Sequence, residues 1–212
     1  MRGSGSRSAR PPGRRAEKGA ATRQAILDAA LDAFSAKGFA ATRLDDVARG
    51  AGVAKGTIYV HFRDKETLFE ELVRAYLGPL VGTLTASQPT GLSPRAFARA
   101  IVDVFVREVL GTRRKDVLRL VLTEGARFPE LAQIYYREVI SKAVPHLRLV
   151  FGAAHAQGAL RSDALARFPH LLVAPGLVAI IWDALFSRFE PLDAAALMHA
   201  QIDLIFGPEG DA

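Results

Sequence analysis

Cysteine is absent from this 212-residue chain. That excludes disulfides, thiolate metal sites and cysteine nucleophiles. No apolar run approaches the ~20 residues a helix needs to cross a bilayer. The basic opening segment contains no apolar stretch of the secretory type, so a soluble, cytoplasmic protein is expected with no membrane partner. Phosphate-cradling glycine loops are missing too, since Gly50-Ala51-Gly52 has no strand before it. The five histidines, His61, His146, His155, His170 and His199, are scattered. None of them joins an acidic residue at metal-ligand spacing, so neither a metal nor a cofactor is expected. No serine sits in a nucleophile elbow, and no catalytic residue can be nominated. Asp28 and Asp32 lie one helical turn apart, as an exposed acidic face does.

What the chain does have is apolar content at 50%, the mark of a globular protein, and enough length for one or two domains. Its charge is unevenly placed. Residues 1–65 hold 13 Lys and Arg against 6 Asp and Glu, net +7, whereas residues 66–212 hold 15 against 16. A localised positive field suits a polyanion and steers its approach. Nucleic acid and an anionic membrane both qualify on charge alone.

Residues 42–69, TRLDDVARGAGVAKGTIYVHFRDKETLF, favour nucleic acid. Thr42 is placed to cap a short helix whose apolar face is Leu44, Val47 and Ala48. Gly50-Ala51-Gly52 supplies a turn in which a glycine can take the left-handed backbone. A second short helix over 54–62 turns Ile58 and Phe62 inward and Lys55, Thr57, Tyr59 and His61 outward. Those outer groups are donors for phosphates and base edges, on a helix that fits the major groove. Two helices and a glycine turn also describe an ordinary helical corner, so spacing alone leaves the choice open.

The segment AGVAKGTIYVHFRDKETLF closely resembles the DNA-binding signature of the TetR/AcrR family of transcriptional regulators. With the preceding helix, the resemblance covers roughly a quarter of the chain. It implies phosphate contacts at Thr42, Tyr59, His61 and Lys65, and base reading by Lys55, Gly56 and Thr57. Arg43 and Arg63 are further phosphate candidates by charge and position. Where the family often carries another tyrosine, this chain has Val60-His61.

Elsewhere, residues 1–20 are rich in Gly, Ser, Arg and Pro without apolar periodicity and are expected to form a disordered basic tail. Helix 1 is expected over 22–37, capped by Thr22 and ended by Gly38, with Phe39 plugging the corner. A longer helix starts at Lys65, where its first N–H groups and the Lys65 ammonium can meet one phosphate. Residues 85–94 read as a loop. Further helices are expected over 94–110, 117–127, 131–157, 164–188 and 191–206, with a kink or break at Pro145 and interruptions at Pro169 and Pro175. The basic cluster Arg113-Arg114-Lys115 reads as a solvated corner. RFPEL at 127–131 resembles a turn in one branch of the family's C-terminal domains.

The fold class is therefore all-α: a three-helix helix-turn-helix domain over 21–66, then a ligand-binding and dimerising bundle over 67–212, about nine helices in total. Apolar residues nearly all round 171–186 point to a twofold mate, and the resemblance implies a homodimer. Phe105, Leu118, Leu122, Tyr135, Tyr136, Trp182 and Phe186 are candidate lining for a small-molecule cavity. Few buried charges are expected there, which points to a largely apolar effector. The reading is a DNA-binding regulator, a repressor released from a palindromic double-stranded operator by that ligand. By the mechanism the resemblance implies, the ligand spreads the effector helices and moves the helix that starts at Lys65. Its alternatives are a ligand-independent architectural DNA-binding dimer and a helical enzyme.

Overall fold

The computed structural model describes residues 14–88 and 91–207. Every regular element among them is helical. The chain divides into two compact units, one up to Leu68 and one from Phe69 onward.

In the first unit, α1 spans Arg14–Ala41. It begins eight residues before the expected start, so only residues 1–13 of the anticipated tail lie outside the described residues. Thr22 is no cap: its hydroxyl donates to the Lys18 carbonyl at 2.9 Å, one turn back inside the helix. The alanine-rich run around it has high helix propensity, which carries the helix through Gly19. Gly38 does break α1, at φ 74°. Phe39 then turns inward and stands 5.3 Å from the Phe34 ring. Ile26, Leu27, Ala30, Leu31 and Phe34 form the buried stripe of α1 at helical spacing.

Helix α2, Leu44–Gly50, packs on α1 and buries Leu44, Val47 and Ala48. Helix α3, Lys55–His61, packs on α2. The turn between them depends on Gly52, whose φ of 66° is left-handed backbone that side chains resist. Helix α4 runs Lys65–Ala86, starting in the first unit and ending in the second. Asp64 caps it, accepting from the Thr67 amide at 2.7 Å.

The second unit continues with α5 (Pro94–Val104), α6 (Arg114–Glu124), α7 (Pro129–Tyr135), α8 (Ser141–Ala156), α9 (Ala164–Arg167), α10 (Ala174–Phe186) and α11 (Ala194–Phe206). Ser93 caps α5 and Asp193 caps α11 through bonds to the third helical amide. All nine expected helices are present, and two are segmented. A π-helical turn, Tyr136–Ile140, separates α7 from α8, while α8 runs through Pro145 without a break. The irregularity thus falls five residues before Pro145, where an i→i+5 turn re-phases the ladder. Pro169 and Pro175 divide the next stretch, as anticipated, into α9, a 3₁₀ turn over Pro169–Leu172, and α10. A second π-helical turn, Phe105–Leu110, closes α5.

Phe97, Val102, Phe151, Leu172, Met198 and Ile202 lie at the centre of this unit's core. Gly176 lets α10 approach closely, because a Cβ there would sit 2.4 Å from the Phe105 ring. The corner after α5 is not simply solvated. Arg114 donates to the Tyr76 carbonyl at 2.7 Å and pairs with Glu108 at 3.1 Å, so one of its three basic residues is structural. Buried charge is also present in this unit. Glu138, only 9% exposed, accepts from Arg74 (3.1 Å), Lys142 (3.0 Å) and Arg137 (3.2 Å). Those bonds, from Arg74 foremost, hold its carboxyl down at about 2.

Candidate nucleic-acid interface

Helix α3 is anchored by Ile58, fully buried, and by Phe62 just past its end. At about 100° per residue, Gly56 and Val60 lie about 200° from Ile58 and point straight outward. Lys55 and Tyr59 occupy the adjacent stripe, four residues apart. All four of these residues, and His61, are exposed, while Thr57 is half-buried. Phe62 is covered on one side by the Arg23 guanidinium, 5.9 Å from its ring centre.

Asp45 on α2 binds the donors of that stripe. Its carboxylate accepts from the Lys55 ammonium at 2.7 Å and from the Tyr59 hydroxyl at 3.3 Å. The Lys55 bond is the main reason its carboxyl titrates below the usual carboxylate range, and the same bond raises Lys55. Lys55 and Tyr59 are therefore held side by side by an anion the protein itself supplies. Arg43 stands exposed immediately before α2 as its N-cap residue. Arg63 is exposed beside Asp64, paired at 2.8 Å.

Two expected phosphate donors are placed differently. Thr42 is 2% exposed, and its hydroxyl is shared between the Gly38 (2.8 Å) and Ala33 (3.1 Å) carbonyls of α1. Its hydroxyl thus serves the end of α1, on either side of the turn broken at Gly38, and not the start of α2, whose N-cap residue is Arg43. Lys65 behaves alike. Its ammonium donates to the Phe39 (2.8 Å) and Ala40 (3.1 Å) carbonyls and lies 4.6 Å from the Phe39 ring centre. A cation at a helix C-terminus is the favourable choice for the dipole there. Asp64, the cap of α4, is held down at about 2, chiefly by the Thr67 hydroxyl.

Residues 26–72 match the family of bacterial regulatory proteins of the TetR type, and residues 93–200 match the C-terminal domain of AefR-like transcriptional repressors. The chain belongs to the TetR family. Among its TetR-family relatives, the HTH-type transcriptional repressor KstR2 of Rhodococcus jostii is 34% identical over 53% of this chain and 57% of its own length. The HTH-type transcriptional regulator AcrR of Shigella flexneri is 48% identical over 53% of this chain and 54% of its own. Thus the matched part spans little more than half the length of these relatives. In fold, the transcriptional regulator FadR from Bacillus subtilis, solved in complex with stearoyl-CoA, superposes with a TM-score of 0.71 at 19% identity, covering 87% of this chain and 97% of that one. Each of these relatives is a regulator and none an enzyme. Among the described residues, no helix is long and apolar enough to cross a membrane.

The candidate effector lining of this TetR-family chain is only partly inward. Leu118 is buried, and Phe105, Tyr135 and Trp182 are half-buried. Burial pushes the Tyr135 hydroxyl up to about 12, and the Trp182 indole N–H donates to the Glu190 carbonyl at 2.7 Å. Leu122, Tyr136 and Phe186 are exposed at 41%, 62% and 43% and do not line an interior. Tyr136 opens the π-helical turn that follows α7 and turns to solvent, unlike Tyr135. Leu122 lies near the end of α6, on a flank left uncovered, and Phe186 closes α10 with its ring edge-on to Trp182 at 5.1 Å. Sequence reasoning missed Asp45 and Glu138 as partners. For Glu138 a signal existed, since Lys142 follows it at i+4.

Proposed function

We propose that this TetR-family chain is a DNA-binding transcriptional regulator, a repressor that works in the cytoplasm as a homodimer on a palindromic operator. A small, largely apolar ligand taken up by the C-terminal unit releases it. Residues 21–66 do the DNA reading, and 67–212 bind ligand and dimerise. One observation carries the reading: α3 is anchored by buried Ile58 and turns Lys55, Gly56, Tyr59, Val60 and His61 to solvent on a net-basic segment. A seven-residue helix with that face fits the major groove, where base edges carry sequence information. Arg43, Arg63 and Tyr59 sit where phosphates flank the groove, and such contacts fix register. Lys65 and Thr42 contribute by holding the end of α1, against which α2 packs.

Support for the dimer comes from α10. Val178, Ile181 and Leu185 fall at i, i+3 and i+7 on one stripe and are 52%, 43% and 58% exposed. Apolar surface of that kind is a protein-contact face. Two protomers related by a twofold axis present two α3 helices to half-sites one helical turn apart, about 34 Å. For the ligand, the support is family membership together with the apolar character of Phe105, Leu118 and Trp182.

Selection of bound sequences from a random duplex pool tests the reading. The expected product is a palindrome with half-sites spaced by about one turn of DNA. Lys55→Ala is expected to relax base preference, at a cost of about 1–3 kcal/mol if its contact is a guanine. Tyr59→Phe weakens binding uniformly across sequences. Absence of any enriched sequence overturns the proposal, and operator binding indifferent to every apolar compound in a thermal-shift screen leaves only the architectural alternative.

A further inference from the structure

Val60 has no structural reason to be where it is. It is 82% exposed at the penultimate position of α3, and with Tyr59 it is the only large apolar side chain so exposed among the described residues of the first unit. A β-branched residue at a solvent-facing helix position gains nothing from packing and is a weaker helix former than alanine or lysine. Its direction is equally informative. Val60 stands about 200° around the helix from buried Ile58, so it is the side chain aimed most directly away from the protein. One turn before it on the same stripe is Gly56, exposed, and beyond its chain neighbours and its own helix backbone nothing lies within 4 Å of where its Cβ would be. No other side chain therefore stands between Val60 and whatever α3 is laid against. Polar Tyr59 and His61 flank it.

We infer that Val60 is a base-reading residue whose isopropyl group packs on the C5-methyl of a thymine, once in each half-site. This rests on the proposal that α3 enters the major groove. An isopropyl group there can neither donate nor accept, and set against guanine, adenine or cytosine it would cover a hydrogen-bonding edge without replacing the lost water. Thymine alone among the four bases offers an apolar group on that side. The stiffness of valine at χ1 helps, since little rotamer freedom is lost on contact. Lys55 and Tyr59 on the neighbouring stripe then supply the polar part of the same footprint.

The test replaces thymines of the selected operator, one position at a time, with deoxyuridine, which removes the methyl and nothing else. Wild-type protein is expected to lose about fourfold in affinity at one thymine per half-site, the value of one buried methyl group. Val60→Ala is expected to bind the thymine operator about that much more weakly and to be indifferent to the deoxyuridine change. Val60→Thr, nearly isosteric, should give an intermediate response. A wild-type protein that selects a sequence yet shows no methyl effect at any thymine overturns this inference alone, as does a Val60→Ala variant that keeps the full effect. If wild-type protein selects no sequence, the DNA-reading proposal falls first and this inference with it.

Discussion

Asp45 and Glu138 show how much a single carboxylate decides in this molecule. Asp45 neutralises Lys55 at 2.7 Å, so the free protein offers one fewer uncompensated cation to a phosphate. Asp45→Asn is expected to raise affinity for random duplex and to steepen the fall of log K with log salt by about 1 per protomer. Fluorescence anisotropy titrations across a salt series measure it, and an unchanged slope would show that the charge freed on Lys55 adds nothing to non-specific binding, leaving it base reading alone. Glu138 titrates at about 2 in the folded protein, below the ordinary glutamate value of 4.5. A depressed carboxyl contributes stability above its unfolded pKa, and that contribution fades as pH falls from about 4.5 toward 2. Urea unfolding should therefore find Glu138→Gln less stable than wild type at pH 7 and nearly equal to it near pH 2. Lys55 and Tyr59 were legible because residues four apart on one helix share a face. Their partner was not, being ten and fourteen positions away across a turn. The inward placement of Thr42 and Lys65 was hidden for another reason: both bind backbone carbonyls, which no residue string displays.

Elements were more legible than their irregularities. Apolar residues at i, i+3 and i+4 marked α1 to α3 because burial of one stripe is what selects a short helix. Neither π-helical turn was foreseen, since a one-residue re-phasing leaves no compositional trace. Two glycines set the geometry of elements, and they do so differently. Gly52 has open space around it but a left-handed φ of 66°. Gly52→Ala should cost about 1–2 kcal/mol through the backbone alone, and Gly52→Asn less, because asparagine tolerates that region. Gly176 has an ordinary backbone but a Cβ position 2.4 Å from Phe105 and 3.1 Å from the Met198 sulfur. Gly176→Ala should cost about 1–3 kcal/mol by overpacking, with partial rescue by Phe105→Leu. Chemical denaturation of the single and double variants distinguishes backbone strain from crowding, since only the second can be relieved by trimming a neighbour.

At the scale of the whole molecule, the charge count already separated a basic N-terminal third from a nearly neutral remainder, and that division follows the two units closely. The face proposed for the dimer was anticipated from the excess apolarity over 171–186, because surface that one protomer cannot cover must be either core or contact. Which residues line an effector site was not legible: apolar core and apolar cavity use the same side chains, and Leu122, Tyr136 and Phe186 belong to neither. Val178→Asp combined with Leu185→Glu is expected to shift the protein to monomer in sedimentation velocity and to weaken operator binding at least tenfold, since the two half-sites then bind independently. Retention of the dimer would place the mate on another face. The Asp45 bridge also bears on how specificity can be moved between regulators. Because the donors of α3 are held by a carboxylate from α2, and the angle between those helices is set by Gly52, the portable module is residues 44–62. A graft of Lys55–His61 alone onto another scaffold would carry the letters of the code without the hand that holds them, and is expected to bind without discriminating.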